Sequence, residues 1–372
     1  MSGSPAMAGA GPAGPVMIMA GGTGGHVFPG LAVAEALRSR SVGVVWLGTR
    51  RGLEARLVPP HGIEIEWISI AGLRGKGFAA WLAAPFRLAL ALGQSLSAER
   101  RRRPSAVLGL GGFVSGPGGI AARLRGKPLL IHEQNAVAGT ANRGLARFAS
   151  RVFEAFPGSF PAGVAAECIG NPVRESIEAL APPASRFAAR AAARPRLLVL
   201  GGSQGARALN RALPAALASL APAERPEVRH QAGAAHAETD EAYRRAGVEA
   251  RVDAFIDDMA EAYAWADFAV ARAGALTISE LAAAGLGALL VPYPHATDDH
   301  QTKNAAHMAA ASAAIVISES ELDSARLAAD LGPLMADRSR LLAMAEAARR
   351  LARPGAAQRL AEACIELAEG RA

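Results

Sequence analysis

Short apolar runs alternate with glycine loops and amphipathic stretches along most of the chain. Residues 16–20 form the first apolar run, residues 21–26 (GGTGGH) a glycine-rich loop, and residues 31–40 have the spacing of a helix. A strand, a glycine loop and a helix in this order predict the opening of a βα unit. The same reasoning predicts further strands at residues 42–47, 63–70, 106–110, 129–131, 151–153 and 167–169.

The pattern restarts after an Ala/Arg-rich break that lies between Pro182 and Pro195. Residues 196–200 predict a strand, 201–205 (GGSQG) a loop and 206–220 a helix. The two glycine loops begin at Gly21 and Gly201, 180 positions apart, which is the scale of a domain and not of a short repeat. Further strands are predicted at residues 228–231, 251–254, 268–271 and 288–291, and the chain is mostly helical from residue 324 onward.

This alternation predicts an α/β protein with two Rossmann-like parallel-sheet domains that face one another across a cleft. Ligands bind beyond the carboxyl ends of such strands, so the glycine loops would line the cleft. A length of 372 residues suits two domains. We predict a flexible N-terminal extension (1–15), an N-terminal domain (16–172), a C-terminal domain (173–350) and a final helical segment (351–372).

Composition excludes several classes of protein. Apolar residues make up 51% of the chain and charged residues 20%, which excludes a disordered protein. Two cysteines cannot build a disulfide framework or a four-cysteine zinc site, which favours a reducing compartment. The net charge of +7 favours acidic partners: phosphates, nucleic acid or an anionic membrane. The most apolar long run, residues 78–92, is interrupted by Pro85 and Arg87 and is too short to span a bilayer, and residues 1–15 do not resemble a secretory signal.

The first glycine loop carries the most specific candidate chemistry. Gly22 and Gly24 let the backbone approach a bulky ligand, and the helix expected after Pro29 would direct its N-terminal amides toward it. Val27 stands where a third glycine is needed, so the nicotinamide-dinucleotide fingerprint fails. His26 lies near helix amides that disfavour imidazolium, and a neutral imidazole can accept a proton from a hydroxyl nucleophile. The alternative is a histidine that only hydrogen-bonds the loop.

Two segments of the second half are candidates for binding a nucleotide diphosphate. Ser203 and the amides of its loop could hold a phosphate, although the loop taken alone is more typical of a plain turn between a strand and a helix. Residues 272–280 open a helix whose N-terminus could face a diphosphate, while Glu280 accepts hydrogen bonds from ribose hydroxyls. The spacing of Thr277 and Glu280 also fits a capping box, which would be a structural role.

The charged loop near residues 295–303 does not predict a metal site. Asp298 and Asp299 stand beside His295 and His300, but their spacing is poor for metal ligands, so we predict no metal. Gln301 is suited to donate to and accept from sugar hydroxyls.

Basic and apolar residues mix in residues 71–92, a composition suited to binding on a membrane surface. The alternative is an ordinary amphipathic core helix. The chain lacks the aromatic-interleaved basic module of a nucleic-acid binder. The predicted membrane patch comprises Leu73, Arg74, Lys76, Phe78, Trp81, Leu82, Phe86 and Arg87.

Several motifs, taken together and in order, resemble the MurG family, the bacterial N-acetylglucosaminyltransferases of peptidoglycan synthesis in glycosyltransferase family 28. The resemblance extends from about residue 16 to the C-terminus and leaves out residues 1–15. The motifs are GGTGGHVFPG (21–30), GLGGFVSGPGG (109–119), HEQN (132–135), GNPVR (170–174), GGSQGA (201–206), FIDD (255–258) and GALTISE (274–280).

The resemblance implies a GT-B fold and an inverting transfer of GlcNAc from UDP-GlcNAc to the 4-hydroxyl of the muramyl sugar of lipid I, giving lipid II and UDP. It implies no cofactor, no nucleic-acid partner, a peripheral position on the cytoplasmic face of the inner membrane, and a last helix that packs on the N-terminal domain. It also implies a role in cell-wall biogenesis, cell shape and cell division.

The resemblance also implies which residues bind the donor. Ile256 would meet uracil through its backbone, Glu280 the ribose, and Gln301 the GlcNAc hydroxyls. The full set that it implies for UDP-GlcNAc is Thr23, Gly24, Gly25, Asn135, Arg174, Ser203, Ile256, Ala275, Leu276, Thr277, Ile278, Ser279, Glu280 and Gln301, with His26 as the candidate base.

Three alternative functions remain open from the sequence. One is a GT-B enzyme with another lipid acceptor. A second is a UDP-GlcNAc 2-epimerase, which needs neither a lipid acceptor nor a membrane patch. The third is a catalytically silent UDP-sugar-binding protein, against which the presence of both His26 and Glu280 argues.

Overall fold

A computed structural model of the chain describes residues 14–70, 82–201, 206–296 and 299–371. The chain forms two compact units. Within the described residues, the first unit comprises residues 14–70, 82–134, 138–172 and 355–371, and the second comprises residues 135–137 and 173–354. Residues 1–13 of the predicted extension lie outside the described residues.

Each unit is built on one sheet in which all pairings are parallel, as the alternation of strands and helices predicts. The first sheet contains β1 Val16–Met19, β2 Val44–Gly48, β3 Glu64–Trp67, β4 Ala106–Gly109, β5 Leu129–Glu133, β6 Arg151–Glu154 and β7 Ala166–Cys168. The second contains β8 Arg196–Leu200, β9 Glu227–Gln231, β10 Arg251–Asp253, β11 Phe268–Ala271, β12 Gly287–Leu290 and β13 Ala314–Val316.

In each sheet, the sequence order of the strands changes direction beside the first strand of the unit, although all the strands are parallel. The orders are β3-β2-β1-β4-β5-β6-β7 and β10-β9-β8-β11-β12-β13. Ile18 of β1 pairs with Leu108 of β4, and Leu198 of β8 pairs with Ala269 of β11. Connections leave β1 and β4, or β8 and β11, toward opposite sides, which opens a crevice at their carboxyl ends. The glycine loop that starts at Gly21 follows β1, and the loop with Gly111 and Gly112 follows β4, so the fold positions both loops where such sheets bind ligands.

The helices connect successive strands and cover the sheets. They are α1 Gly24–Arg38, α2 Glu54–Leu57, α3 Ala84–Arg102, α4 Ser115–Leu124, α5 Thr140–Leu145, α6 Glu175–Glu178, α7 Pro183–Ala188, α8 Arg207–Ala218, α9 His236–Arg245, α10 Met259–Trp265, α11 Ala275–Ala284, α12 His300–Ala310, α13 Ser324–Ala336, α14 Arg338–Leu351 and α15 Ala356–Ala368.

The predicted α/β class with two parallel sheets is confirmed, and twelve of the strands described here were predicted from the sequence. The strand β13 was not predicted, because only three residues pair and two of them are half-buried. The expected start of the first helix is wrong: α1 begins at Gly24, not after Pro29, so Pro29 lies inside the helix. Pro29 and Gly30 are buried, and a Cβ added at Gly30 would overlap the ring of Trp46. Close packing on the sheet therefore outweighs the low helix propensity of this segment.

Apolar side chains cover both faces of the first sheet. All four residues of β1 are fully buried, with Val16 and Ile18 in one cluster and Met17 and Met19 in another. The helix α15 belongs to this first unit, where Leu360 and Cys364 join the cluster that contains Val16.

Candidate active site

In the first unit, the loops that follow β1 and β4 pack against each other. Gly111 and Gly112 have positive φ angles of 93° and 77°, which favour glycine. A Cβ added at Gly112 would overlap the backbone oxygen of Gly21. The two glycine motifs of the sequence therefore form one continuous surface at the carboxyl end of the first sheet.

His26 lies in the first turn of α1, beside these loops. Thr23 is the N-cap residue and is exposed, and Gly24 and Gly25 are half-buried in the first turn. His26 is half-buried, and its Nδ1 lies 2.8 Å from Oε1 of Gln134, the residue that follows β5. The sequence places His26 in a loop before the helix, whereas the structure places it inside the first turn, and its role as a base stays a prediction.

Glu54 was not identified in the sequence analysis, and it holds the first glycine loop in place. Its side chain is fully buried at the start of α2. One carboxylate oxygen accepts from the backbone N–H of Gly22 at 3.0 Å, and the other accepts from the N–H and the hydroxyl of Thr49, both at 2.8 Å. A buried carboxylate with three donors fixes the conformation of the loop. The sequence signal is weak, because Glu54 stands in an ordinary polar segment.

In the second unit, α11 presents its N-terminus at the carboxyl end of β11. The helix begins at Ala275 after an N-cap glycine, so Thr277 lies inside the first turn and the capping-box interpretation is wrong. Leu276, Thr277 and Ser279 are half-buried, whereas Ala275 and Ile278 are buried. A helix N-terminus at this edge carries partial positive charge, which suits a diphosphate.

Glu280 on α11 is held by two side chains from distant parts of the second unit. Oε1 accepts from Nη2 of Arg174 at 3.0 Å, and Oε2 accepts from the hydroxyl of Tyr263 at 3.0 Å. Glu280 is only 6% exposed, and burial raises the pKa of its carboxyl even though Arg174 acts to lower it. Burial, with the adjacent carboxylate, raises the pKa of Tyr263 well above its ordinary value, so the phenol remains a donor. Tyr263 was not identified in the sequence analysis.

Asn135 also belongs to the second unit, where Asn304 of α12 organises the segment. Asn304 is fully buried, and its Oδ1 accepts from the backbone N–H of Ala136 at 2.9 Å. Its Nδ2 lies 3.5 Å from Oδ1 of Asn135 and donates to the backbone oxygen of Ala273 at 3.2 Å. Asn304 thus connects the end of the HEQN motif to the loop that precedes α11, a link that spacing along the chain could not reveal.

Two further predicted donor-site residues make backbone contacts. Ile256 is 2% exposed, and its backbone N–H donates to Oε1 of Gln231 at 3.3 Å. Gln301 is half-buried at the start of α12, and its Oε1 accepts from the backbone N–H of Tyr293 at 2.9 Å. Ser203 lies outside the described residues.

Of the predicted membrane patch, Leu82, Phe86 and Arg87 are described, and all three are exposed. Phe86 is 80% exposed, and Leu90, one turn further along α3, is 54% exposed. Leu73, Arg74, Lys76, Phe78 and Trp81 lie outside the described residues. The large apolar side chains in the described part of this segment face solvent, whereas Ala91 on the same helix is buried in a core cluster of the first unit, so the membrane patch stays a prediction.

The neighbouring helix α4, which packs against α3, extends this exposed surface. Ile120 is 36% exposed and Leu124, one turn later, is 66% exposed. Neither was included in the predicted patch, because the two helices are separate in sequence. No helix among the described residues is long and apolar enough to cross a membrane.

The described residues contain no group of three or more His, Cys, Asp or Glu side chains that could hold a metal ion.

Comparison with known proteins identifies the family. Residues 16–154 match the glycosyltransferase family 28 N-terminal domain, and residues 196–360 match the glycosyltransferase family 28 C-terminal domain. The chain belongs to glycosyltransferase family 28. It is therefore an enzyme of the transferase class, and the predicted family is confirmed.

Relatives of this family 28 glycosyltransferase match it over nearly their whole length. A UDP-N-acetylglucosamine–N-acetylmuramyl-(pentapeptide) pyrophosphoryl-undecaprenol N-acetylglucosamine transferase of Nitrosococcus oceani is 62% identical over 356 residues, covering 95% of this chain and 99% of the relative. The protein of the same name from Cellvibrio japonicus is 54% identical over 358 residues, with 95% and 99% covered.

Solved structures confirm the GT-B fold of the family 28 chain. The crystal structure of MurG from Acinetobacter baumannii superposes with a TM-score of 0.80 at 40% identity and covers 94% of this chain and 99% of its own. A glycosyltransferase of kitacinnamycin, at 18% identity and a TM-score of 0.68 with 95% and 99% covered, shares the fold alone.

Proposed function

We propose that this glycosyltransferase moves GlcNAc from UDP-GlcNAc to the 4-hydroxyl of the MurNAc sugar in undecaprenyl-diphospho-MurNAc-pentapeptide, lipid I, to give lipid II and UDP in peptidoglycan synthesis. The observation that carries the proposal is the 62% identity, over 95% of the chain, to a relative whose name states this reaction.

The second unit supplies groups suited to the nucleotide. The carboxylate of Glu280 is an acceptor for the two hydroxyls of a ribose, and the same negative charge would repel an additional phosphate on that ribose. Arg174 is a bidentate donor suited to a diphosphate, and the N-terminus of α11 adds backbone amides. The backbone of Ile256 and the side chain of Gln301 complete the proposed contacts to uracil and to the GlcNAc hydroxyls.

The first unit supplies the proposed base. The acceptor oxygen attacks C1 of the GlcNAc, the bond between C1 and the diphosphate oxygen breaks, and the configuration at C1 inverts. The proton of the attacking hydroxyl passes to the imidazole of His26, and UDP departs with the bonding electron pair. Thr23, Gly24 and Gly25 offer backbone groups beside His26, and Asn135 offers an amide for the transferred sugar.

The apolar surface on α3 and α4 supports a lipid-borne acceptor. A polyprenyl diphosphate stays anchored in the bilayer, so an enzyme that uses it must bind at the membrane surface. Exposed side chains such as Phe86 and Leu124 can enter the acyl region, and Arg87 can interact with anionic headgroups. We propose peripheral binding to an anionic membrane surface, on the cytoplasmic face of the inner membrane.

The direct test supplies UDP-GlcNAc and a short-chain lipid I analogue and measures the disaccharide product. We expect product with UDP-GlcNAc and much less with UDP-glucose. Absence of product, or equal turnover with both donors, would contradict the assignment. Conversion of UDP-GlcNAc to an epimer without any acceptor would support the epimerase alternative instead.

The base is tested separately with His26→Ala. We expect this variant to lose turnover by about 100-fold or more while it still binds UDP, because general-base catalysis contributes factors of this size. If kcat stays within about threefold of the unmodified enzyme, which is well under ~1 kcal/mol of barrier, His26 is not the base.

A further inference from the structure

A series of hydrogen bonds that begins at His132 determines which ring nitrogen of His26 carries the proton. His132 is fully buried on β5, and its Nε2 lies 2.8 Å from the backbone oxygen of Gly170. Burial lowers the pKa of His132 to about 4, so its ring is neutral near pH 7 and carries one proton. A backbone carbonyl can only accept, so this proton is on Nε2, and Nδ1 of His132 carries a lone pair.

The amide of Gln134 is oriented by the same strand. Its Nε2 lies 3.0 Å from Nδ1 of His132 and 3.1 Å from the backbone oxygen of His132. Both neighbours are acceptors, so the amide nitrogen must be the atom that faces them. The opposite orientation would place the amide oxygen of Gln134 against two lone pairs. Oε1 of Gln134 therefore faces the other way, toward His26.

His26 receives the end of this chain. Its Nδ1 lies 2.8 Å from Oε1 of Gln134, which can only accept, so Nδ1 of His26 must carry a proton. In the neutral ring the lone pair is then on Nε2. Gly111 lies against the ring, because a Cβ added there would be 3.0 Å from Cε1 and 3.2 Å from Nδ1 of His26. A larger residue at this position would displace the imidazole from Gln134.

We propose that His132 and Gln134 are positioning residues that fix the tautomer of His26, with the proton on Nδ1 and the lone pair on Nε2 available to the acceptor hydroxyl. The proposal rests on the proposed function in taking His26 as the base. The backbone oxygens of Gly170 and His132 can only accept hydrogen bonds. They therefore fix which atom donates in each hydrogen bond from His132 to His26.

The proposal has a chemical consequence for the transfer step. The hydroxyl proton moves to Nε2 of His26, and the resulting imidazolium keeps its Nδ1–H on the amide oxygen of Gln134. No proton is transferred between His26, Gln134 and His132, because His132 keeps its own proton on Nε2. The arrangement corresponds to the carboxylate of a serine-protease triad, which selects one histidine tautomer, except that here the partner is a neutral amide.

The first test is a measurement on the unmodified protein. Ring nitrogens of ¹⁵N-histidine-labelled enzyme report which nitrogen is protonated, and the signal of His26 is assigned by its loss in His26→Asn. We expect Nδ1–H for His26 and Nε2–H for His132. A proton on Nε2 of His26 in the neutral enzyme would overturn the proposal, whatever the activity of any variant.

The second test is Gln134→Met, which keeps the length of the side chain and removes both hydrogen-bonding groups. We expect His26 to lose its uniform Nδ1–H signal and kcat to fall by about 10-fold to 100-fold, within the range of general-base effects. The KM for UDP-GlcNAc should change less than twofold. The variant Gln134→Glu retains an acceptor for His26 and should keep the Nδ1–H signal, but its second oxygen faces the two acceptors of His132 and should lower the free energy of unfolding.

The matched control is Gln358→Met, the same change on α15 of the same unit. Oε1 of Gln358 is buried and has no hydrogen-bond partner among the described residues, so this variant should keep both the His26 signal and kcat. Retention of Nδ1–H in Gln134→Met would overturn the proposal. If the tautomer shifts but kcat is unchanged in both Gln134→Met and His26→Ala, the fault lies with the base assigned in the proposed function, and the positioning role falls with it.

Discussion

Arg174 donates to the carboxylate of Glu280 at 3.0 Å, although 106 positions separate the two residues in the chain. Glu280 is buried, whereas about a third of the Arg174 side chain remains exposed. The guanidinium contacts the carboxylate, and part of the arginine side chain faces solvent. A ribose at Glu280 and a diphosphate at Arg174 are compatible with this pair, because one side chain accepts and the other donates.

Glu280→Gln should reduce the affinity for UDP-GlcNAc by about 10-fold or more, because a hydrogen bond to a charged group contributes about 1.5–3 kcal/mol. The measurement is the KM for UDP-GlcNAc and for its 2′-deoxyribose analogue. The analogue should bind more weakly than UDP-GlcNAc to the unmodified enzyme and should lose less affinity in the variant, since one of its two hydroxyl contacts with Glu280 is already missing.

Glu249→Gln is the control for this comparison, because Glu249 is an exposed residue. It should leave both KM values unchanged. Equal losses for the ribose and deoxyribose donors in Glu280→Gln would contradict a contact between Glu280 and the 2′-hydroxyl.

Glu54→Gln should destabilise the first glycine loop. One of the carboxylate oxygens becomes an NH₂ group, which would face a backbone N–H of Gly22 or Thr49 instead of accepting from it. We expect the free energy of unfolding to fall by about 1–3 kcal/mol, the cost of a buried unpaired polar group. Urea unfolding measures this, and hydrogen exchange at Gly22 should become faster. Glu35→Gln, at an exposed position of α1, should change neither quantity.

Glu99→Met should stabilise the protein, and more so at high pH. Glu99 is fully buried on α3, and neither of its carboxylate oxygens has a hydrogen-bond partner among the described residues. Burial raises its pKa from 4.5 to about 7, while Arg125 and Lys127 act to lower it. The folded state thus disfavours the ionised form, so the unmodified protein loses stability as pH rises from about 4.5 to about 7.

The expected gain of Glu99→Met is about 1–3 kcal/mol at pH values above 7 and less near pH 5, where the carboxyl is protonated in the folded state. Urea unfolding at both pH values gives the difference. Glu35→Met should show no such pH dependence. A gain that is the same at both pH values would mean that ionisation of Glu99 does not contribute.

Phe86→Ser combined with Leu124→Ser should weaken binding to vesicles that contain anionic phospholipid. The two side chains are 80% and 66% exposed, so their removal costs little folding free energy. Burial of each side chain in a membrane contributes at most about 1.5–3 kcal/mol to the binding free energy. Sedimentation should show at least a 10-fold loss of affinity. Turnover of a water-soluble short-chain acceptor should be retained, and unchanged vesicle binding would argue against this surface.

The electrostatic part of the same binding is tested with Arg87→Ser. Arg87 lies on α3 between the exposed apolar residues, so its loss should reduce the affinity for anionic vesicles but not for neutral ones. Arg244→Ser removes an exposed arginine from α9 of the second unit and serves as the matched control. Equal effects of the two changes would indicate only a general charge effect.

The periodicity of the sequence predicts the sheets but not every helix boundary. Arg196–Leu200 and Phe268–Ala271 are predicted to the residue, because both strands are apolar runs bounded by polar or glycine residues. The start of α1 differs, because Pro29 and Gly30 have low helix propensity, whereas the close packing of Gly30 on Trp46 is a tertiary contact that the local pattern does not contain.

The sequence by itself determined the two parallel-sheet units, the position of the first glycine loop at the end of a strand and the candidate residues His26 and Glu280. These depend on local patterns and on the rule that parallel strands bind ligands at their carboxyl ends. Only the tertiary structure decided which partners those residues have: Gln134 for His26, and Arg174 and Tyr263 for Glu280. These contacts join residues that are 17–108 positions apart in the chain. Such contacts depend on strand order and helix packing, so no fixed spacing in the sequence predicts them.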